Sequence, residues 1–222
     1  MTDEVDRELE RQVEVLVGLG VPELAGLGTG ELESAVEALR GPLRKSAAGQ
    51  AAPSRVPFVL VVAGEPDGQM RLAERLVPSL RLTGSGREGV LDRNHGEAGL
   101  APYQPIEQIG AAPDRIYALV DVERGEQFCG VRPQEALPQI LDAGRTPLTI
   151  LEGIVLVLTH PQVLEKNRCF MLSGSRRGDK RVPALWISGR APKLGWCWDG
   201  NPHSWLGVAS TASRVGVAAV VG

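Results

Sequence analysis

Val5, Leu9, Val13 and Leu16 recur at helical spacing among acidic and basic positions, so the chain begins with an amphipathic helix over about Asp3–Gly18. Gly18, Gly20 and Pro22 stop it. A second helix is expected from an N-cap at Thr29 through Leu32, Ala35, Val36 and Leu39, ending at Gly41-Pro42. The pair forms a helical hairpin. Its second helix carries Glu31, Glu33 and Glu37, which phosphates would repel, so it is not a DNA reader. The small and polar stretch Arg44–Val56 then reads as a linker.

Pro57–Ala63 is a continuous apolar run of the kind that fills a buried strand, and Arg115–Val122 reads as a second strand. Between them, Gln69–Val77 reads as helix, and the Gly-rich segment Arg81–Leu100 as a long loop of the mobile or functional kind. Pro133–Ala143 is a helix expected to kink at Pro138. Thr149-Ile-Leu-Glu152 has capping-box spacing and opens a helix through Leu158. The last third changes rhythm: Cys169–Ser173, Val182–Ser188, Leu194–Trp198 and Trp205–Ala209 are short strands separated by turn residues, which predicts an antiparallel meander. The Ala/Val/Gly tail Thr211–Gly222 reads as frayed. The expected fold is α+β, with the helical hairpin of residues 1–42 packed, after a linker over 43–56, on a core of residues 57–222. The core's sheet should contain Phe58–Ala63, Arg115–Val122 and a mostly antiparallel C-terminal part.

Composition narrows the classes. With 222 residues, 43% hydrophobic and 23% charged, the chain is long enough for a core and too apolar for wholesale disorder. No apolar stretch approaches the roughly 20 residues of a membrane helix, and no greasy leader opens the chain, so no membrane role is expected. The net charge of −3 conceals an asymmetry: residues 1–40 carry ten acids and three bases, residues 164–222 nine bases and three acids. A basic end suits an anionic partner, but no Lys/Arg stripe interleaved with aromatics marks nucleic acid, which is not the expected partner. Cys129, Cys169 and Cys197 are odd in number and form no CxxC pair, the pattern of reduced thiols in a cytoplasmic protein.

All four tryptophans lie between Trp186 and Trp205, three of them within Trp196–Trp205. Strand alternation puts Trp196 and Trp198 on one face and Cys197 with Asp199 on the other. Gly200, Asn201 and Pro202 then turn the chain, which would bring His203 back toward Cys197 and Asp199. The cluster either packs as a small core or walls a pocket formed by Trp196, Trp198 and Trp205, with Asn201 at its turn. Cys197, His203 and Asp199 have the types of a thiol nucleophile, its base and an orienting carboxylate, and His203 with Asp199 alone could do acid–base work. His160, Cys169, Cys197 and His203 match tetrahedral zinc by type but not by spacing, so neither metal nor cofactor is expected. Ser173–Arg181 is a Gly/Ser turn in which Arg176, Arg177 and Arg181 could hold a carboxylate or phosphate.

Ala143-Gly-Arg-Thr-Pro-Leu-Thr149, Arg181-Val-Pro-Ala-Leu-Trp186 and the string from Leu194 to Gly207 resemble an actinobacterial domain family of unknown function. The resemblance implies a cytoplasmic actinobacterial protein and transfers no catalytic residue. Two functions follow from the residues. One is a small-molecule-binding protein, or an enzyme of specialised metabolism, with its pocket beside Trp196–Trp205. The alternative is a non-catalytic interaction module that docks a protein or a second copy of the chain to form a homo-oligomer.

Overall fold

The computed structural model describes residues 2–46 and 51–217. Three N-terminal helices, α1 (Thr2–Gly18), α2 (Val21–Leu24) and α3 (Thr29–Ser46), precede strand β1 (Arg55–Val62). Then follow α4 (Gln69–Leu76), β2 (Val90–Leu91), β3 (Gln104–Pro105), β4 (Ile116–Glu123), α5 (Pro133–Asp142), β5 (Thr146–Pro147) and α6 (Ile150–Thr159). The last third holds β6 (Cys169–Met171), β7 (Ser175–Arg176), β8 (Arg181–Ser188), β9 (Ala191–Trp198), β10 (Leu206–Val208) and β11 (Ser210–Gly216). N-terminal helices and mostly antiparallel C-terminal strands make the fold α+β. No helix among the described residues is long and apolar enough to cross a membrane.

The strands form two main sheets rather than the single sheet expected. An antiparallel sheet runs β1-β4-β11-β5, a mixed one runs β10-β6-β8-β9-β2, and β3 pairs with β7. The C-terminal segment is the largest departure from the sequence reading. Instead of fraying, Ser210–Gly216 inserts beside β4, pairing Ser213 with Val120 and Gly216 with Tyr117; residues 218–222 lie outside the described residues. The meander is also incomplete, because β10 pairs in parallel with β6 and not with β9. The helix expected to stop at Gly41-Pro42 continues through Pro42 to Ser46, and α5 continues through Pro138.

Local chemistry explains the joints. At the end of α5, Gly144 takes a left-handed φ of 68° and the Arg145 and Gly144 N–H groups bond back to Ile140 and Leu141, a Schellman stop. Arg145 then bridges Asp121 (2.7 Å) and Ser210 Oγ (2.9 Å), tying β4 to β11. Thr149 and Glu152 close the capping box of α6, whose ten residues are all buried, as an all-round apolar helix requires. Glu152 also accepts from Tyr117 Oη (2.9 Å) and pairs bidentately with Arg214 of β11 at 2.7 and 2.8 Å. On the open edge of β1, the buried Gln12 of α1 replaces a strand: its amide donates to Phe58 O (3.1 Å) and accepts from Leu60 N (2.7 Å).

Candidate functional site

The site is organised by a two-residue turn. Gly189 and Arg190 both have positive φ, 58° and 64°, the type I′ geometry whose twist matches the flanking strands. The turn sets β9 three residues earlier than its sequence suggests and fixes the register of β8 against β9: Ser188 faces Ala191, Trp186 faces Lys193, and Arg181 faces Trp198. Directly opposed residues share a face, so the tryptophans separate into two pairs on opposite sides of the hairpin.

On one side, Trp196 and Trp198 meet edge to face at 4.8 Å, and the Arg181 guanidinium lies 4.4 Å over the Trp196 ring. Trp196 Nε1 donates to Asn94 O (3.0 Å). On the other side, Trp186 and Trp205 meet at 6.5 Å and 75°. They wall an open cleft of about 330 Å³ together with Lys166, Asn167, Cys169, Ile187 and Ser188. Gly195 is required there, because a Cβ at that position would collide with the Trp186 ring.

The segment read as a long loop supplies the rest of the basic side. Val90 and Leu91 pair in parallel with Lys193 and Leu194. Asp92 then caps a single turn through Asn94 N (2.9 Å) and pairs with Lys193 Nζ (2.9 Å). The turn ends at His95, which packs against Tyr103 at 5.7 Å, and β3 carries the chain back onto β7. The Arg177 guanidinium lies over the Tyr103 ring, 5.6 Å from its centroid. Arg176 donates to Asp199 (3.1 Å), and Asp179 lies 3.3 Å from Arg177 Nε and 3.7 Å from Arg181 Nε.

Three guanidiniums thus share two carboxylates. Arg176 Nη1, Arg177 Nε and Nη1, and Arg181 Nε are buried without a hydrogen-bond partner among the protein's groups, as are Tyr103 Oη and both ring nitrogens of His95. Burial lowers the Arg176 pKa and is only partly opposed by Asp199. Burial also lowers that of His95 and pushes the Tyr103 phenol up to about 12. Such a concentration of buried, unmatched donors is costly unless an acceptor meets them.

The Cys197, Asp199 and His203 side chains are not joined by hydrogen bonds. Cys197 Sγ lies 3.3 Å from Met171 Sδ, and burial pushes its thiol up to about 12. Asp199 serves Arg176. His203 stands edge-on to Trp205 at 5.6 Å, its pKa lowered by burial and its Nε2 without a partner. Asn201 is exposed, with its N–H closing the turn on Trp198 O (3.0 Å). Among the described residues no three His, Cys, Asp or Glu side chains gather as a metal set. His95 and Tyr103 are the site residues that sequence reasoning missed. Asp92, the N-cap before Arg93–His95, was the local signal, but nothing local places that turn against β9.

Neither the curated proteins nor the solved structures contain a match to this chain. A family model spans most of the chain, including α3, both main sheets and every residue of the basic cluster. The chain belongs to DUF5701, a family of unknown function, over residues 15–217.

Proposed function

We propose that the protein binds a small anionic molecule, a carboxylate or phosphate, through Arg176, Arg177 and Arg181. One observation carries the reading: four of their guanidinium nitrogens are buried without a hydrogen-bond partner, with Asp179 and Asp199 supplying two negative charges against three positive ones. Guanidinium forks match the oxygens of carboxylate and phosphate, and the hydrogen bonds gain strength where water is excluded. Acid–base catalysis by His203 and Asp199 is not part of the proposal, because Asp199 is engaged by Arg176. The preference for Arg over Lys among the 24 basic residues supports an actinobacterial source, and the three unpaired cysteines a cytoplasmic setting.

Thermal unfolding with inorganic phosphate, pyrophosphate or citrate, against sodium chloride of equal ionic strength, tests the reading. A ligand at a hundred times its Kd stabilises by about 2.7 kcal/mol, which raises Tm by roughly 5–10 °C for a chain this size. Arg177→Gln should abolish that rise while leaving the ligand-free Tm unchanged or higher, since it removes the one excess positive charge. If none of the three anions shifts Tm beyond the salt control, the proposal is wrong.

The interaction-module reading has its own observation. Val17 and Leu19 are exposed at the end of α1, beside a groove of about 350 Å³ lined by Val15, Val157, Leu158 and Pro161. A self-associating chain would lose its oligomer on Val17→Glu with Leu19→Glu, measured by light scattering. A wild-type chain that is monomeric at high concentration would rule out a homo-oligomer.

A further inference from the structure

We infer that the anion is a phosphoryl group carried on a planar aromatic ring, with the ring stacked on Trp198; this rests on the anion-binding reading above. Trp198 is 45% exposed, one of four large apolar side chains left open to solvent among the described residues, and the only aromatic one. It is not a stray surface residue. The hairpin register sets it directly across from Arg181, and a T-shaped contact with the neighbouring Trp196 ring holds it in place. Arg181 spans the two functions, with its guanidinium on the Trp196 ring and its Nε, without an acceptor, near Asp179. The exposed indole is therefore a stacking platform at the border of the basic cluster.

The number of open donors favours phosphoryl over carboxylate. Four guanidinium nitrogens on three arginines, one of which lies over the Tyr103 ring, are buried without a well-formed hydrogen bond, as is the Tyr103 hydroxyl. A carboxylate offers two oxygens and one charge, whereas a phosphate monoester offers three terminal oxygens and nearly two charges. Two phosphoryl charges added to Asp179 and Asp199 exceed the three arginines by one and one carboxylate charge balances them, so it is the count of open donors, not the net charge, that separates the two groups. Planar rings stack on indole faces without needing specific hydrogen bonds, so the platform selects for a ring rather than for one base.

Calorimetric titration compares ring-bearing phosphates (AMP, flavin mononucleotide, phenyl phosphate) with ring-free ones (ribose 5-phosphate, inorganic phosphate). At least one ring-bearing probe should bind about tenfold tighter than ribose 5-phosphate, the scale of one base stacked on one aromatic side chain. Trp198→Ala should erase that advantage and leave ribose 5-phosphate affinity unchanged, whereas Trp198→Phe keeps most of it. Since Trp198 is open to solvent, Trp198→Ala should melt within a few degrees of wild type. Arg177→Gln should weaken all five probes. If ring-bearing and ring-free phosphates bind equally, the ring is wrong and the anion reading stands. If none of the phosphates binds while citrate does, the phosphoryl group is wrong. If no anion binds, both readings fall. A single-stranded oligonucleotide that binds far tighter than AMP, in a Trp198-dependent way, would replace the small molecule with nucleic acid.

Discussion

Replacing Arg214 by Met tests whether the C-terminal strand is an integral part of the fold. Arg214 lies on β11 and is 9% exposed in its side chain; its partner Glu152, in the first turn of α6, is 1% exposed. Two charge-assisted hydrogen bonds join them at 2.7 and 2.8 Å, and Tyr117 Oη and Thr149 N supply further donors to the same carboxylate. Arg214→Met keeps much of the apolar stem but leaves a buried carboxylate without its cation. Breaking a buried pair in this way costs about 3–5 kcal/mol, which lowers Tm by roughly 6–20 °C at this chain length. The pH dependence gives a sharper signature. Burial by itself raises the Glu152 pKa and is the largest single influence, but Arg214 and the hydrogen bonds outweigh it and hold the carboxyl below its ordinary value. A depressed carboxyl contributes stability above its unfolded pKa of about 4.3 and loses it as pH falls through the folded value. Without Arg214 the burial influence dominates and the sign reverses: the folded pKa exceeds the unfolded one, so the variant loses stability as pH rises from about 4.3. The difference between wild type and Arg214→Met in urea unfolding should therefore be largest near pH 7 and shrink toward pH 4. The second variant, Glu152→Gln with Arg214→Met, should recover part of the loss. A cost below about 1 kcal/mol at pH 7, or one that does not change with pH, would refute the reasoning.

Two further outcomes follow from buried groups elsewhere. Gln12→Leu leaves the Leu60 N–H and the Phe58 carbonyl on the edge of β1 without partners, which should cost about 2–4 kcal/mol in urea unfolding and speed hydrogen exchange at Leu60; unchanged exchange at that amide would mean another group covers the edge. Cys197, whose thiol burial pushes up to about 12, should resist alkylation in the native protein at pH 8 and react at an ordinary rate in urea, as followed by peptide mass spectrometry. Fast native labelling of Cys197 would restore it as a nucleophile candidate.

The sequence by itself determined the elements whose signals are local. Helical spacing marked α1, the Thr149–Glu152 spacing marked the start of α6, an unbroken apolar run marked β1 and a largely apolar one marked β4. Alternation also placed Trp196 and Trp198 on one face, and the bases around Ser173–Arg181 marked the cluster. Each of these depends on contacts within a few residues, which the order of side chains encodes directly. The tertiary structure decided what depends on distant partners. Ser210–Gly216 looks like an Ala/Val/Gly tail until β4 offers it a ladder and Glu152 a partner for Arg214. The Gly-rich segment has no period, yet the pairing of Val90 and Leu91 with β9 delivers His95 and Tyr103 to the arginines. The register set at Gly189-Arg190 sends Trp186 and Trp205 to the face opposite Trp196 and Trp198, which no count along the chain could foresee. His203 follows Trp205 to that side while Asp199 turns to Arg176, so neighbours in sequence part in space. Long-range strand pairing is chosen by the shape and hydrogen-bonding needs of the partner surface, and those exist only once the rest of the chain has folded.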